Sequence, residues 1–285
     1  MRTCWHEADP FPSDNRPRAP VEAAARSDRG KQRTNNEDRA LLARVPSGAL
    51  FGPPAHVRID DGAAGLVAAV CDGMGGEAGG EIASGLAVEA IGTELVAAWK
   101  RLAIGSAPSA AAVDERLGRA LVVAVDAASE RVRDAASADL SLARMGTTAT
   151  VALFGDGVLV CAQVGDSRAY VLRGKRLVQI TRDQTVAEML RARAPEPEPT
   201  VLGDHVVLQA VGSSPRLEVA LTRTPVDAGD VVLLCSDGLS GVVDDDEIAA
   251  ILRAHARPAD ACDALIARAN ALGGPDNVTC VVVRL

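Results

Sequence analysis

Between a short unbroken apolar run and a long helical one, the chain sets a single carboxylate in a string of glycines: Val70-Cys71-Asp72-Gly73-Met74-Gly75-Gly76-Glu77-Ala78-Gly79-Gly80. Residues 65–71 show no polar alternation, the pattern of a strand buried on both faces. Over 81–102 the apolar residues Val88, Ile91, Leu95, Ala98 and Leu102 recur at helical spacing. Asp72 therefore stands where a buried strand runs out into a turn with five glycines in residues 73–80. Glycine there permits φ > 0 and close approach of main-chain atoms. A carboxylate beside a core is costly unless a cation or a cage of hydrogen bonds compensates it. Alone, the pattern is that of a helix-entry turn with an acid near the N-terminus.

Recurrence argues for more. The apolar run Val231–Cys235 ends in Ser236-Asp237-Gly238, Glu37-Asp38 directly precedes the apolar residues 40–43, and Pro275-Asp276-Asn277 directly precedes the closing strand Val278–Arg284. Asp38, Asp72, Asp237 and Asp276 thus all lie at junctions between buried strands and turns. Carboxylates that converge at strand ends cannot all ionise without cations. Oxygen-only donors suit Mg²⁺ or Mn²⁺ rather than zinc. Two such ions about 3.5–4 Å apart can activate a bridging water and stabilise in-line displacement at phosphorus.

The rest of the composition narrows the classes. The net charge of −8 argues against nucleic acid or an anionic membrane surface as a partner. Six scattered cysteines, without a CxxC pair or clustered histidines, argue against zinc and against a disulfide framework. No window of about 18 apolar residues appears, and residues 1–20 are rich in Pro, Arg and Asp, unlike a signal peptide. A cytoplasmic protein is expected, with a disordered tail over 1–20 and one domain over 21–285.

Along that domain, residues 22–25 read as a short edge strand and 46–62 as loop and hairpin turn. A second long helix spans about 110–136. Strands at 148–154, Val158–Val164, Arg168–Arg173 and 177–180, joined by Gly/Asp turns, predict an antiparallel meander. Residues 184–210 form a short flap containing a brief amphipathic piece at 186–190 and the stiff Pro195-Glu196-Pro197-Glu198-Pro199. Asp244-Asp245-Asp246-Glu247 opens one helix, and another runs from Pro258 to Gly273-Gly274.

The ordered set Ser27-Asp28-Arg29-Gly30, Arg33, Asn36-Glu37-Asp38, Asp72-Gly73-Met74-Gly75-Gly76, Met145-Gly146-Thr147-Thr148, Val164-Gly165-Asp166-Ser167-Arg168, Thr181-Arg182-Asp183, Cys235-Ser236-Asp237-Gly238 and Gly274-Pro275-Asp276-Asn277-Val278-Thr279 resembles the bacterial branch of the PPM/PP2C family. These are metal-dependent protein serine/threonine phosphatases. The resemblance covers about residues 22–284 and implies an α+β fold, a four-layer α-β-β-α sandwich of two antiparallel sheets flanked by helices. It implies Mn²⁺ or Mg²⁺, two ions, with Asp72 bridging them and the Gly73 carbonyl on the first. Asp237 and Asp276 would hold the second, helped by Glu37 directly or by Asp38 directly or through water. Arg33 would hold the substrate phosphate, since a guanidinium fork suits tetrahedral oxygens.

Three positions depart from the family's pattern. Ala143 stands where an acid often serves a third ion, so no third ion is expected to bind firmly; Asp139 and Glu77 are the nearby acids. Glu77 and Met74 stand where members carry histidine, and so does Gln184. The implied partners are phosphorylated proteins, a serine/threonine kinase or its substrates, met by a monomer. The alternative is a regulatory pseudophosphatase that binds a phosphoprotein with little turnover. A cysteine phosphatase is a weaker rival: Cys262 to Arg268 fits Cys-x5-Arg, but the stretch has no glycine and carries helical periodicity.

Overall fold

The computed structural model describes residues 4–7, 20–60, 62–75, 79–102, 110–193, 206–214 and 216–285. In chain order the first half contains β1 (Cys4–Glu7), β2 (Val21–Asp28), β3 (Asp38–Arg44), β4 (Ala49–Phe51), β5 (Ala55–Ile59), β6 (Leu66–Met74), α1 (Gly79–Leu102) and α2 (Ala110–Ala138). Then follow β7 (Gly146–Thr147), β8 (Ala149–Phe154), β9 (Val158–Val164), β10 (Arg168–Arg173), β11 (Arg176–Gln179) and α3 (Val186–Arg193). The chain closes with β12 (Ala220–Pro225), β13 (Val231–Cys235), α4 (Asp237–Ser240), α5 (Asp245–Ala254), α6 (Pro258–Ala271) and β14 (Val278–Arg284).

Two sheets stack face to face. One runs β1-β12-β9-β8-β6-β3-β4, with β7 also paired to β6; the other runs β11-β10-β13-β14-β2-β5. Strand period places alternate residues of β6 in different layers. Val67, Ala69 and Cys71 pack toward α1 and α2, whereas Leu66, Ala68 and Val70 face the opposite sheet. Val281 and Val283 of β14 join that same inter-sheet core. Cys280 and Val282 turn outward to a third layer, with Leu252 of α5 and Leu265 of α6. Helices, sheet, sheet and helices therefore enclose three cores, which is the α-β-β-α sandwich expected.

Four details differ from the sequence reading. Cys4–Glu7, within the stretch expected to be disordered, forms a parallel pair with β12; residues 1–3 and 8–19 lie outside the described residues. The expected edge strand at 22–25 is part of an eight-residue strand lying between β14 and β5. The expected four-strand meander is two hairpins: β8 pairs with β9 in one sheet and β10 with β11 in the other. Gly165, at φ 99°, carries the chain between the sheets there rather than closing a hairpin. Where no apolar window of about 18 residues was expected, α1 is long and apolar enough to cross a membrane by length and composition, and it spreads Ala83, Ala87, Ile91 and Leu95 along the helix-side core.

Candidate active site

Both sheets deliver their acids to one end of the sandwich. β3 and β6 run antiparallel with Asp38 directly opposite Asp72. The Gly73 N–H donates to the Glu37 carbonyl at 3.2 Å, extending that pairing past the strand end. From the second sheet, Asp237 opens α4 just beyond β13, and Asp276 stands just before β14. Ser236 joins the sheets. Its Oγ donates to Asp38 Oδ2 at 2.7 Å and accepts from the Thr279 N–H at 3.0 Å.

Two glycines make this approach possible. A Cβ on Gly73 would lie 2.1 Å from the Gly80 carbonyl oxygen, and one on Gly238 would lie 1.9 Å from that of Asn277. Main chain occupies both places, so no side-chain rotation relieves the clash. The main chain of Asp72 is gripped by its neighbours. Its N–H donates to Thr148 Oγ1 at 2.9 Å, and its carbonyl accepts from Thr147 Oγ1 at 2.9 Å.

Above this floor opens a groove of about 1080 Å³, lined in part by Arg33, Glu37, Asp72, Asp166, Asp237 and Asp276. Asp38 lies behind it, 1% exposed. Burial, with Asp237 and Asp276 nearby, pushes the Asp38 carboxyl up to about 7, although hydroxyls of Ser236 and Thr279 favour its charged form. Asp72 is raised well above the usual carboxylate range by burial first, then by Asp38, Asp237, Asp166 and Asp276. Asp38 Oδ1 is buried without a hydrogen-bond partner. A buried, unpaired carboxylate oxygen among oxygen-only donors fits a hard divalent cation. Among the described residues no three such side chains close on one point.

The resemblance-derived residues are thus brought together, but Arg33 is engaged. Its Nη2 donates to Asp276 Oδ2 at 2.6 Å, and this pairing raises the guanidinium's already high proton affinity. Asp166, read in sequence as part of a hairpin turn, lines the groove instead. Its Gly165-Asp166-Ser167 setting repeats the strand-end Asp signal, which could have flagged it. Gln184 serves the flap base, accepting from the Gly165 N–H and donating to the Gln163 carbonyl. Met74 lines the groove, while Glu77 and residues 194–205 of the expected flap lie outside the described residues.

Ala143 sits in the exposed turn after Leu140–Leu142, and the Asp139 carboxylate is taken by the N–H and hydroxyl of Ser141. Cys262 is buried mid-helix in α6, as its periodicity predicts, with no phosphate loop around it.

Comparisons with known proteins converge. The protein phosphatase 2C family model matches residues 55–272. The serine/threonine phosphatase Stp of Listeria monocytogenes is 31% identical over 266 residues, covering 92% of this chain and 95% of its own. The serine/threonine protein phosphatase PstP of Mycobacterium tuberculosis is 35% identical over 266 residues, 91% of this chain but 44% of its own length. The crystal structure of the Mycobacterium tuberculosis phosphatase PstP/Ppp superposes with TM-score 0.73 at 33% identity, covering 93% of this chain and 99% of that one. The PstP catalytic domain solved in complex with 2 manganese ions gives TM-score 0.71 at 32% identity, covering 93% and 99%.

Proposed function

The chain belongs to the protein phosphatase 2C family of serine/threonine phosphatases, and we propose that its acidic groove hydrolyses phosphoserine and phosphothreonine in proteins with two divalent cations, Mn²⁺ or Mg²⁺. The observation carrying this reading is the facing pair Asp38 and Asp72, both raised in proton affinity and one with an orphaned oxygen. Asp38, Asp72, the Gly73 carbonyl, Asp237, Asp276 and Glu37 would hold the cations. Bound there, the cations would lower the pKa of a water enough to make it a nucleophile toward phosphorus at neutral pH and would offset charge on the phosphoryl oxygens.

The chain's own groups do the rest. Thr147 and Thr148 fix the main chain that presents Asp72 and Gly73. Ser236 orients Asp38 from the opposite sheet. Arg33, released from Asp276, would bind two phosphoryl oxygens through its guanidinium fork. The substrates would be proteins phosphorylated by a serine/threonine kinase, or the kinase itself, met by a monomer in the cytoplasm.

Hydrolysis of a phosphothreonine peptide with Mn²⁺ tests the reading. Chelation should abolish it, and Asp72→Asn or Asp237→Asn should cost at least ~10²-fold in rate, as for other groups stabilising transition-state charge. Near-normal activity of Asp72→Asn at modest Mn²⁺ would refute the two-cation site, while tight phosphopeptide binding without turnover by the native chain would establish a pseudophosphatase.

A further inference from the structure

Residues 29–37 carry Arg33 and Glu37 but have no ladder of their own, because β2 ends at Asp28 and β3 begins at Asp38. Such a loop keeps one shape only where its main chain finds partners elsewhere. Lys31 and Gln32 donate their N–H groups to the Gly274 carbonyl at 2.9 and 3.2 Å. One side chain reaches both ends of the loop at once. Asn277, only 5% exposed, donates through Nδ2 to the carbonyls of Arg29 at 2.9 Å and Asn35 at 2.8 Å. Its Oδ1 accepts the Glu37 N–H at 2.8 Å. Its own main-chain N–H donates to Asp276 Oδ1 at 2.8 Å, and the other oxygen of that carboxylate holds Arg33.

We propose that Asn277 is the positioning residue that keeps the Arg33 arm aligned with the strand-end carboxylates. Its side-chain amide is committed to main-chain groups of the loop, although the residue borders the groove. It clamps both ends of the loop from the turn that carries Asp276, so the guanidinium and that carboxylate share one anchor. The proposal rests on reading Arg33 as the phosphate-binding arm. Only a primary amide offers two donors and an acceptor from one short side chain. Aspartate of the same shape would keep the Glu37 contact but turn an oxygen toward two carbonyl oxygens, and alanine would keep nothing.

A residue that merely held the fold would lower stability and turnover whether or not Arg33 were present. One acting through Arg33 would lose its influence once Arg33 is gone, which a double-mutant cycle detects. KM and kcat for a phosphothreonine peptide at saturating Mn²⁺ should be measured alongside melting temperature. The proteins are the native chain, Arg33→Ala, Asn277→Ala, Asn277→Asp and the two double variants. Arg33→Ala and each Asn277 variant should raise KM about tenfold or more, the scale of losing a charge-assisted contact or several neutral ones. The double variants should be no worse than Arg33→Ala alone.

An unchanged KM in Arg33→Ala ends the reading of Arg33, and this proposal with it. A raised KM in Arg33→Ala, with the Asn277 effect added in full to it, overturns the role of Asn277 while sparing Arg33. So does a fall in melting temperature or kcat with KM unmoved. If Asn277→Ala does not fold, Asn277→Asp carries the cycle; failure of both to fold makes Asn277 a fold residue and overturns the proposal.

Discussion

Replacing Asp38 by Asn in protein stripped of divalent cations isolates the cost of burying the acid pair. Asp38 is 1% exposed, faces Asp72 across the β3–β6 ladder, and has one oxygen without a partner. Its carboxyl binds a proton more tightly folded than unfolded, with the value moving from 3.8 to about 7. The protonated form is therefore the stabilising one. Stability is full below the unfolded value and falls as pH rises from 3.8 toward about 7. That interval corresponds to about 4 kcal/mol. The loss is shared with Asp72, because facing carboxyls release protons as a pair.

Asparagine at 38 preserves the shape and can still accept from Ser236 Oγ, but removes the charge. At roughly 2 °C per kcal/mol for a domain of this size, the variant should melt several degrees higher than the native chain at about pH 8 under chelation. Melts from about pH 4 to about pH 8 should show a declining native profile and a flatter one for Asp38→Asn. Saturating Mn²⁺ should reverse the order, since binding to the folded state stabilises it and a neutral amide is a poorer ligand than a carboxylate. A flat native profile, or an Asp38→Asn protein less stable than native at about pH 8 without cations, would show that uncompensated charge is not what this position costs.

Gly73→Ala should prevent accumulation of folded protein, because its Cβ would meet the Gly80 carbonyl at 2.1 Å; Gly85→Ala, with nothing within 4 Å, should melt at or above the native temperature. Both are read by soluble yield and thermal melting. Ala143→Asp should add a weak Mn²⁺ site with faster turnover, detected by calorimetric titration beside rate measurement; equal stoichiometry in both proteins would end that expectation. Cys262→Ser should retain Mn²⁺-dependent activity, because the thiol is buried among core residues of α6. Loss of turnover by that variant with its melting temperature preserved would revive the cysteine route.

The strand-end aspartates were legible because unbroken apolar runs announce strands buried on both faces, and a carboxylate recurs at the junction of four such runs with turns, which a lone helix-entry acid does not explain. The same runs hide sheet membership. β9 is buried throughout and β10 along its centre, so the lack of period-two alternation identifies two covered faces without saying which sheet supplies each cover. That is why two hairpins in different sheets read as one meander. The loss spreads to Asp166, since a residue in a presumed hairpin turn is expected to face solvent, whereas a turn crossing between sheets at their acidic end faces the groove.

The clamps were hidden for a different reason. Ser236 and Asn277 stand beside aspartates in sequence, where a small polar residue is ordinary turn chemistry. Their work lies across the sandwich, with Ser236 reaching Asp38 over a separation of 198 residues and Asn277 reaching Arg29 over 248. A metal ligand needs only the right atom at a strand end. A clamp needs the right atom opposite a main-chain group whose position is fixed by every element between them. Apolar pattern therefore specifies where the acids gather before it specifies what holds them apart, and the first perturbations to separate the two are those at Asp38, which carries charge, and at Asn277, which carries none.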